Sequence, residues 1–228
     1  MKLLNMRKED KMNKVIPTVF AKDKESFNER LKVVSKIAKL VQIDFMDGKF
    51  VKNNSVGLDD IQINSKKNKY EAHLMCFAPE SYFFKLKKKG FSKVLFHYEA
   101  VKDAQEIVDL ALDNKLEPWI AFNSSTSLKE IIKCLSELIG VKGVLFLGHK
   151  SGVEGIGFER QVLGKIKAVR ARFSELNIQV DGGVNIENVS ELGKSGVNFV
   201  NVGSSIDNSF NPLRNLKEIE REFNSGKK

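Results

Sequence analysis

Two carboxylates and an imidazole stand in this chain where folded strands would aim them at one place. Asp44 lies near the end of Lys39-Leu40-Val41-Gln42-Ile43-Asp44-Phe45, His73 sits in Glu71-Ala72-His73-Leu74-Met75, and Asp181 follows Gln179-Val180. Side chains along a strand alternate by face. Val41, Ile43 and Phe45 therefore share one face, and Gln42, Asp44 and Met46 the other. By the same rule His73 goes with Met75 and Asp181 with Gln179. A carboxylate on the inner face of a buried strand costs free energy unless it is paired, hydrogen-bonded or metal-bound. Two carboxylates and an imidazole converging there can move protons or hold a divalent cation. Taken singly, His73 also reads as a hydrogen-bonded core residue, and Asp181 before Gly182-Gly183 as a turn residue. Three such groups on inner faces favour a site.

A second chemistry is written in the glycines. Asp181-Gly182-Gly183-Val184-Asn185 reads as a strand, a permissive turn and a helix start with Asn185 as N-cap. Val202-Gly203-Ser204-Ser205 repeats the arrangement. Backbone N–H groups in such loops suit a phosphate; two ordinary glycine turns are the alternative.

The elements that must position these groups follow from periodicity. Strand patterns occur at Val15–Phe20, Leu40–Phe45, Glu71–Met75, Lys93–His97, Pro118–Phe122, Gly143–Leu147, Ile178–Asp181 and Phe199–Val202. Helical patterns between them cover Lys24–Ala38, Pro79–Lys89, Asp103–Asn114, Leu128–Ile139, Glu159–Phe173 and Ile186–Ser195, with a last one at Leu213–Asn224. The stretch from Gly48 to Lys69 is weaker and predicts a loop with a short helix. Eight alternating units predict an α/β protein, a single (β/α)8 TIM barrel spanning residues 13–228, after a polar extension at 1–12. An open doubly wound sheet is the alternative, but no Gly-x-Gly-x-x-Gly follows the first strand. Barrel chemistry sits at the carboxyl ends of strands. Here those ends carry Thr18, Asp44, His73, His97, Asn123, Asp181 and Gly203-Ser204.

Bulk properties narrow the partners. The net charge of +9 comes from scattered lysines without an aromatic or arginine-rich pattern, which argues against nucleic acid and suits phosphorylated metabolites. No apolar run approaches a membrane span, and no signal peptide is visible after Met1. Two cysteines, Cys76 and Cys134, predict a reducing, cytoplasmic setting. A homo-oligomer is compatible with these features.

The motif Val41-Gln42-Ile43-Asp44-Phe45-Met46-Asp47-Gly48-Lys49-Phe50-Val51 resembles the signature of ribulose-phosphate 3-epimerases. Ile16-Pro17-Thr18-Val19, Ala72-His73-Leu74-Met75, Phe96-His97-Tyr98-Glu99-Ala100, Val180-Asp181-Gly182-Gly183-Val184 and Val202-Gly203-Ser204 resemble the same family in register. The resemblance implies a ribulose-phosphate-binding barrel that interconverts D-ribulose 5-phosphate and D-xylulose 5-phosphate. It implies Asp44 and Asp181 as the acid/base pair. It implies a divalent metal (Zn, Mn, Fe or Mg) on Asp44, His73 and Asp181, with Gln42 in the fourth ligand's position, where the family has histidine. It further implies substrate contacts from Thr18, Met46, Met75, Gly152, Gly155, Gly182, Gly183, Gly203 and Ser204, alongside Gln42 and His73. The chain departs from the family in Lys150-Ser151-Gly152-Val153-Glu154-Gly155-Ile156-Gly157-Phe158, where Glu154 replaces a glycine. The amide of Gln42 is a poorer ligand than imidazole for zinc-like ions. A diverged, metal-poor barrel that binds a phosphorylated ligand without epimerising it is therefore the alternative function.

Overall fold

The computed structural model describes residues 14–149, 157–207 and 209–227. Eight parallel strands close into one barrel in chain order: β1 (Val15–Val19), β2 (Leu40–Met46), β3 (Lys69–Met75), β4 (Lys93–His97), β5 (Glu117–Phe122), β6 (Gly143–Leu147), β7 (Asn177–Asp181) and β8 (Phe199–Val202). β8 pairs with β1 through Val15–Val200 and Pro17–Val202, which completes the ring.

The two faces of these strands have different fates. Outward-facing Val41, Ile43, Phe45, Ala72 and Leu74 pack under a layer of helices. In α1 (Lys24–Ile37) the buried Phe27, Leu31 and Val34 recur at helical spacing and meet that layer. Each such large apolar side chain contributes about 1.5–3 kcal/mol by burial. Asp23 starts α1 by accepting the Ser26 N–H, and Ser127 with Glu130 forms a capping box at the start of α4 (Leu128–Glu137). α2 (Glu80–Lys89) stops at Gly90, whose φ of 98° is in the left-handed region. α3 (Ala104–Asp113) and α5 (Gln161–Arg172) complete this part of the layer. Inward-facing Leu95, Trp119, Ala121, Leu145 and Leu147 fill only part of the barrel, and polar side chains fill the rest.

The weak stretch after β2 holds no α-helix; a loop with one 3₁₀ turn, Leu58–Asp60, makes the crossover. The expected helix at Ile186–Ser195 is shorter. α6 runs Val189–Lys194 with Asn188 before it. Asn185 caps the turn that leads into it: its Oδ1 accepts the N–H of Glu187 at 2.9 Å and of Asn188 at 3.3 Å, and its carbonyl accepts the N–H of Val189 at 3.1 Å. After β8 comes a short extra helix, α7 (Ser204–Asp207), then α8 (Pro212–Ser225). No described helix is long and apolar enough to cross a membrane.

Candidate active site

The parallel register sets Asp44 beside His73 on neighbouring strands, and alternation turns both inward. Barrel closure brings Asp181 to them from β7. One oxygen of each carboxylate and a ring nitrogen of His73 lie within 4.8 Å of one another. His73 Nδ1 is 3.3 Å from Asp44 Oδ1 and 3.5 Å from Asp181 Oδ2, yet it is aligned for a hydrogen bond with neither. This orphaned atom is the diagnostic feature of the site.

A chain of side chains behind His73 explains it. Glu99 Oε1 accepts the backbone N–H of Asn123 at 2.9 Å and the Thr126 hydroxyl. Burial raises the Glu99 pKa, but the contacts to His97, Thr126 and Asn123 outweigh it and hold the group ionised. An ionised carboxylate only accepts, so His97 Nδ1, 3.2 Å from Glu99 Oε2, carries a proton. Full burial lowers the His97 pKa and favours the neutral ring, which leaves a lone pair on its Nε2. That Nε2 lies 3.0 Å from His73 Nε2, which must therefore be the donor. In neutral His73, Nδ1 then turns a lone pair toward two carboxylates. Three converging electron-rich atoms require a positive charge. They fit a divalent cation, which would take one nitrogen and two carboxylate oxygens.

Without an ion, a proton answers the same demand. Burial disfavours charged His73, but Asp181 and Asp44 beside it push its pKa up to about 9. Burial raises Asp44 to about 6, helped by the nearby Asp181. Asp181 is also raised by burial, but contacts to His73 and Gln42 leave it lowered overall. The two carboxylates titrate as one coupled system around His73.

Gln42 presents nitrogen, not oxygen, to this centre. Its Nε2 donates to Asp44 Oδ1 at 3.0 Å and to Asp181 Oδ2 at 2.6 Å. The orientation is imposed from below. Lys93 Nζ donates to Gln179 Oε1 at 3.0 Å. Gln179 Nε2 must then face acceptors: Glu71 Oε1 at 2.6 Å, Asn201 Oδ1 at 2.7 Å and Gln42 Oε1 at 3.3 Å. With its oxygen turned to Gln179, Gln42 bridges the carboxylates as a donor rather than offering a ligand atom.

The centre opens into a cavity of about 280 Å³. Thr18, Met46, Met75 and Leu147 line it near the carboxylates, and Gly182, Gly183, Gly203 and Ser204 line another part. Gly182 and Gly183 take φ of 96° and 70°, and a Cβ on Gly183 would meet the Phe158 backbone N at 2.6 Å. Among the described residues, no acceptor takes the N–H of Gly183 or Ser204. Gly152, Gly155 and Glu154 lie outside the described residues.

Three contributors were not singled out from sequence. His97 and Glu99 stood in the family-like motif Phe96-His97-Tyr98-Glu99-Ala100 but were given no role there, and Glu99 follows its strand on a 3₁₀ turn, where alternation says nothing of facing. Arg30, on the second turn of α1, also lines the cavity. Asp47, from the signature motif, is structural here: it accepts the N–H groups of Lys49, Phe50 and Phe77 at 2.8, 2.8 and 2.9 Å and so ties the β2 and β3 loops together.

Comparison with known proteins agrees with this geometry. Residues 14–207 match the model of the ribulose-phosphate 3-epimerase family. The chain is 29% identical over 203 residues to the cytoplasmic isoform of ribulose-phosphate 3-epimerase from Oryza sativa subsp. japonica, covering 87% of this chain and 89% of that protein. It is 26% identical to ribulose-phosphate 3-epimerase of Escherichia coli strain K12, covering 92% and 95%. Among solved structures, the fold is shared with 3-hexulose-6-phosphate synthase from Salmonella typhimurium (TM-score 0.70, 15% identity, 93% of this chain and 99% of that one). It is also shared with orotidine 5'-phosphate decarboxylase from Pyrococcus horikoshii (TM-score 0.64, 17% identity, 92% and 99%).

Proposed function

The chain belongs to the ribulose-phosphate 3-epimerase family, and on that premise we propose that it interconverts D-ribulose 5-phosphate and D-xylulose 5-phosphate. The observation that carries this reading is the convergence of Asp44, Asp181 and the orphaned His73 Nδ1 in the lining of one cavity. Epimerisation beside a ketone needs a base on one face of the carbon and an acid on the other. One aspartate takes the proton from C3, and the C–H electron pair moves into an enediolate. The other aspartate returns a proton to the opposite face, so the configuration inverts and the pair ends with its protonation exchanged. The reverse reaction uses the same groups in swapped roles.

Asp44, His73 and Asp181 would hold a divalent ion, whose charge, when bound, favours the enediolate oxygens. The carboxylate-weighted donor set accommodates Mn, Fe or Mg as well as Zn. Gln42 holds the two reacting carboxylates in register. Met46, Met75 and Leu147 keep water from the reacting carbon, and Thr18 contacts the sugar. The N–H groups of Gly183 and Ser204, in loops shaped by Gly182 and Gly203, take the phosphate; Gly152 and Gly155 join them by resemblance to the family. We place the enzyme in the cytoplasm, as one barrel domain after a short extension, acting on a small-molecule substrate without nucleic acid or membrane.

The test is deuterium wash-in at C3 of ribulose 5-phosphate in D₂O, with metal content measured before and after chelation. Exchange that tracks bound metal supports the proposal. One observation favours a second reading: Gln42 Nε2 already satisfies both carboxylates. If the protein binds no metal and exchanges no deuterium, it is a binding protein for a phosphorylated ligand, and the epimerase reading is wrong.

A further inference from the structure

Arg30 comes from α1, far in sequence from the glycine loops, yet it lines the same cavity as Gly183, Gly203 and Ser204. Ring closure explains the meeting, since α1 follows β1 and β1 pairs with β8. Its Nη1 donates to the Phe20 carbonyl at 2.7 Å and lies 2.9 Å from Asp207 Oδ2. Both contacts are made by Nη1, a hydrogen bond to Phe20 and an ion pair with Asp207. The other three N–H donors, on Nε and Nη2, have no acceptor among the described residues. The side chain is held on two sides and is only 35% exposed, so its position is largely set before any ligand arrives.

Asp207 poses the question that Arg30 answers. A carboxylate lining a cavity that must admit a phosphate dianion repels it. An arginine paired to that carboxylate cancels the repulsion. Its spare donors then present the planar fork that matches phosphate oxygens. We propose that Arg30 is a phosphate-binding residue, a cation from the first helix that Asp207 and the Phe20 carbonyl hold at the phosphate end of the cavity. This rests on the sugar-phosphate reading above and deepens it: the site recognises a phosphate monoester by side-chain charge as well as by backbone N–H groups.

Inorganic phosphate, titrated calorimetrically at low salt, is the probe, since it reports this end of the cavity without turnover. Arg30→Met keeps the apolar stem and should weaken phosphate binding at least tenfold. In turnover of ribulose 5-phosphate, most of its loss should fall in KM rather than kcat. Arg30→Lys should retain part of the affinity. Asp207→Asn is the discriminating variant: it removes the competing carboxylate and should tighten phosphate binding several-fold. A pair that merely anchored α7 would lose phosphate affinity in both Arg30→Met and Asp207→Asn, and that result overturns the proposal. So does phosphate binding by Arg30→Met at wild-type strength, or no phosphate binding by the wild type. Should Arg30→Met fail to fold, Arg30→Lys and Asp207→Asn decide by the same criteria. Arg30-dependent phosphate binding in a protein that exchanges no deuterium into ribulose 5-phosphate sustains this inference and refutes only the epimerase reading.

Discussion

Two buried polar clusters occupy successive layers of the barrel, and they are completed in different ways. In the lower layer, Lys93 Nζ lies 2.5 Å from Glu71 Oε2, donates to Gln179 and sits 3.8 Å above the Trp119 ring. One positive charge meets one negative charge, with a cation–π contact in addition. Two residues further along β3 and β7, His73 and Asp181 meet Asp44 of β2, which brings two carboxylates to a single imidazole. Here charges do not cancel without an added proton or ion, and Nδ1 of His73 is unpaired. Both layers are buried and both are charged, so burial of charge alone does not mark a site. What distinguishes the upper layer is its charge: two carboxylates face one imidazole, whereas below Lys93 answers Glu71 one for one.

The largest expected effect tests the upper layer. Asp44→Asn and Asp181→Asn should each lower the rate of deuterium exchange by ~10²–10⁴-fold, the usual worth of a general acid or base. Each should leave the thermal midpoint unchanged or higher, because removing like charge relieves repulsion. Wild-type exchange in either variant would dissolve the distinction between the layers.

The lower layer should respond in stability instead. Lys93→Met strands Glu71 in the interior and should cost about 3–5 kcal/mol in denaturant unfolding. Adding Glu71→Leu should recover most of it, since a well-packed apolar pair can replace a buried ion pair. If Lys93→Met is as stable as wild type but loses exchange activity, the lower cluster belongs to the chemistry and the comparison fails.

A smaller effect is expected at the relay. Glu99→Gln removes the obligate acceptor that fixes His97 and, through it, the Nδ1 lone pair of His73. Divalent-metal affinity, read by competition with a chromophoric chelator, should fall ~10–100-fold, as for other outer partners of metal ligands. Unchanged affinity would show that His73 finds its tautomer unaided. The smallest change is predicted for Gln42→His, which should tighten transition-metal binding and keep or raise exchange activity. Zinc binding by the wild type as tight as that of the variant would show that the amide is no handicap.

The periodicity of the chain determined the eight strands and most helices, because alternation and helical spacing are local properties that each strand and helix carries in itself. It also determined that Asp44, His73 and Asp181 turn inward, since facing follows from position along a strand. The shortness of α6 was not legible, because Asn185 caps an irregular turn before α6 with the same side-chain bonds that it would give a regular first turn. The roles of Gln42, Glu99 and Arg30 were decided only by the tertiary structure. Whether an amide offers nitrogen or oxygen depends on a neighbour on another strand, here Gln179, whose own choice depends on Lys93. A tautomer likewise depends on a chain of partners drawn from β3, β4 and the segment after β5. An arginine on the first helix reaches the loop after the last strand only because the sheet closes. Local spacing fixes which way a side chain points; only closure of the barrel fixes what it meets there.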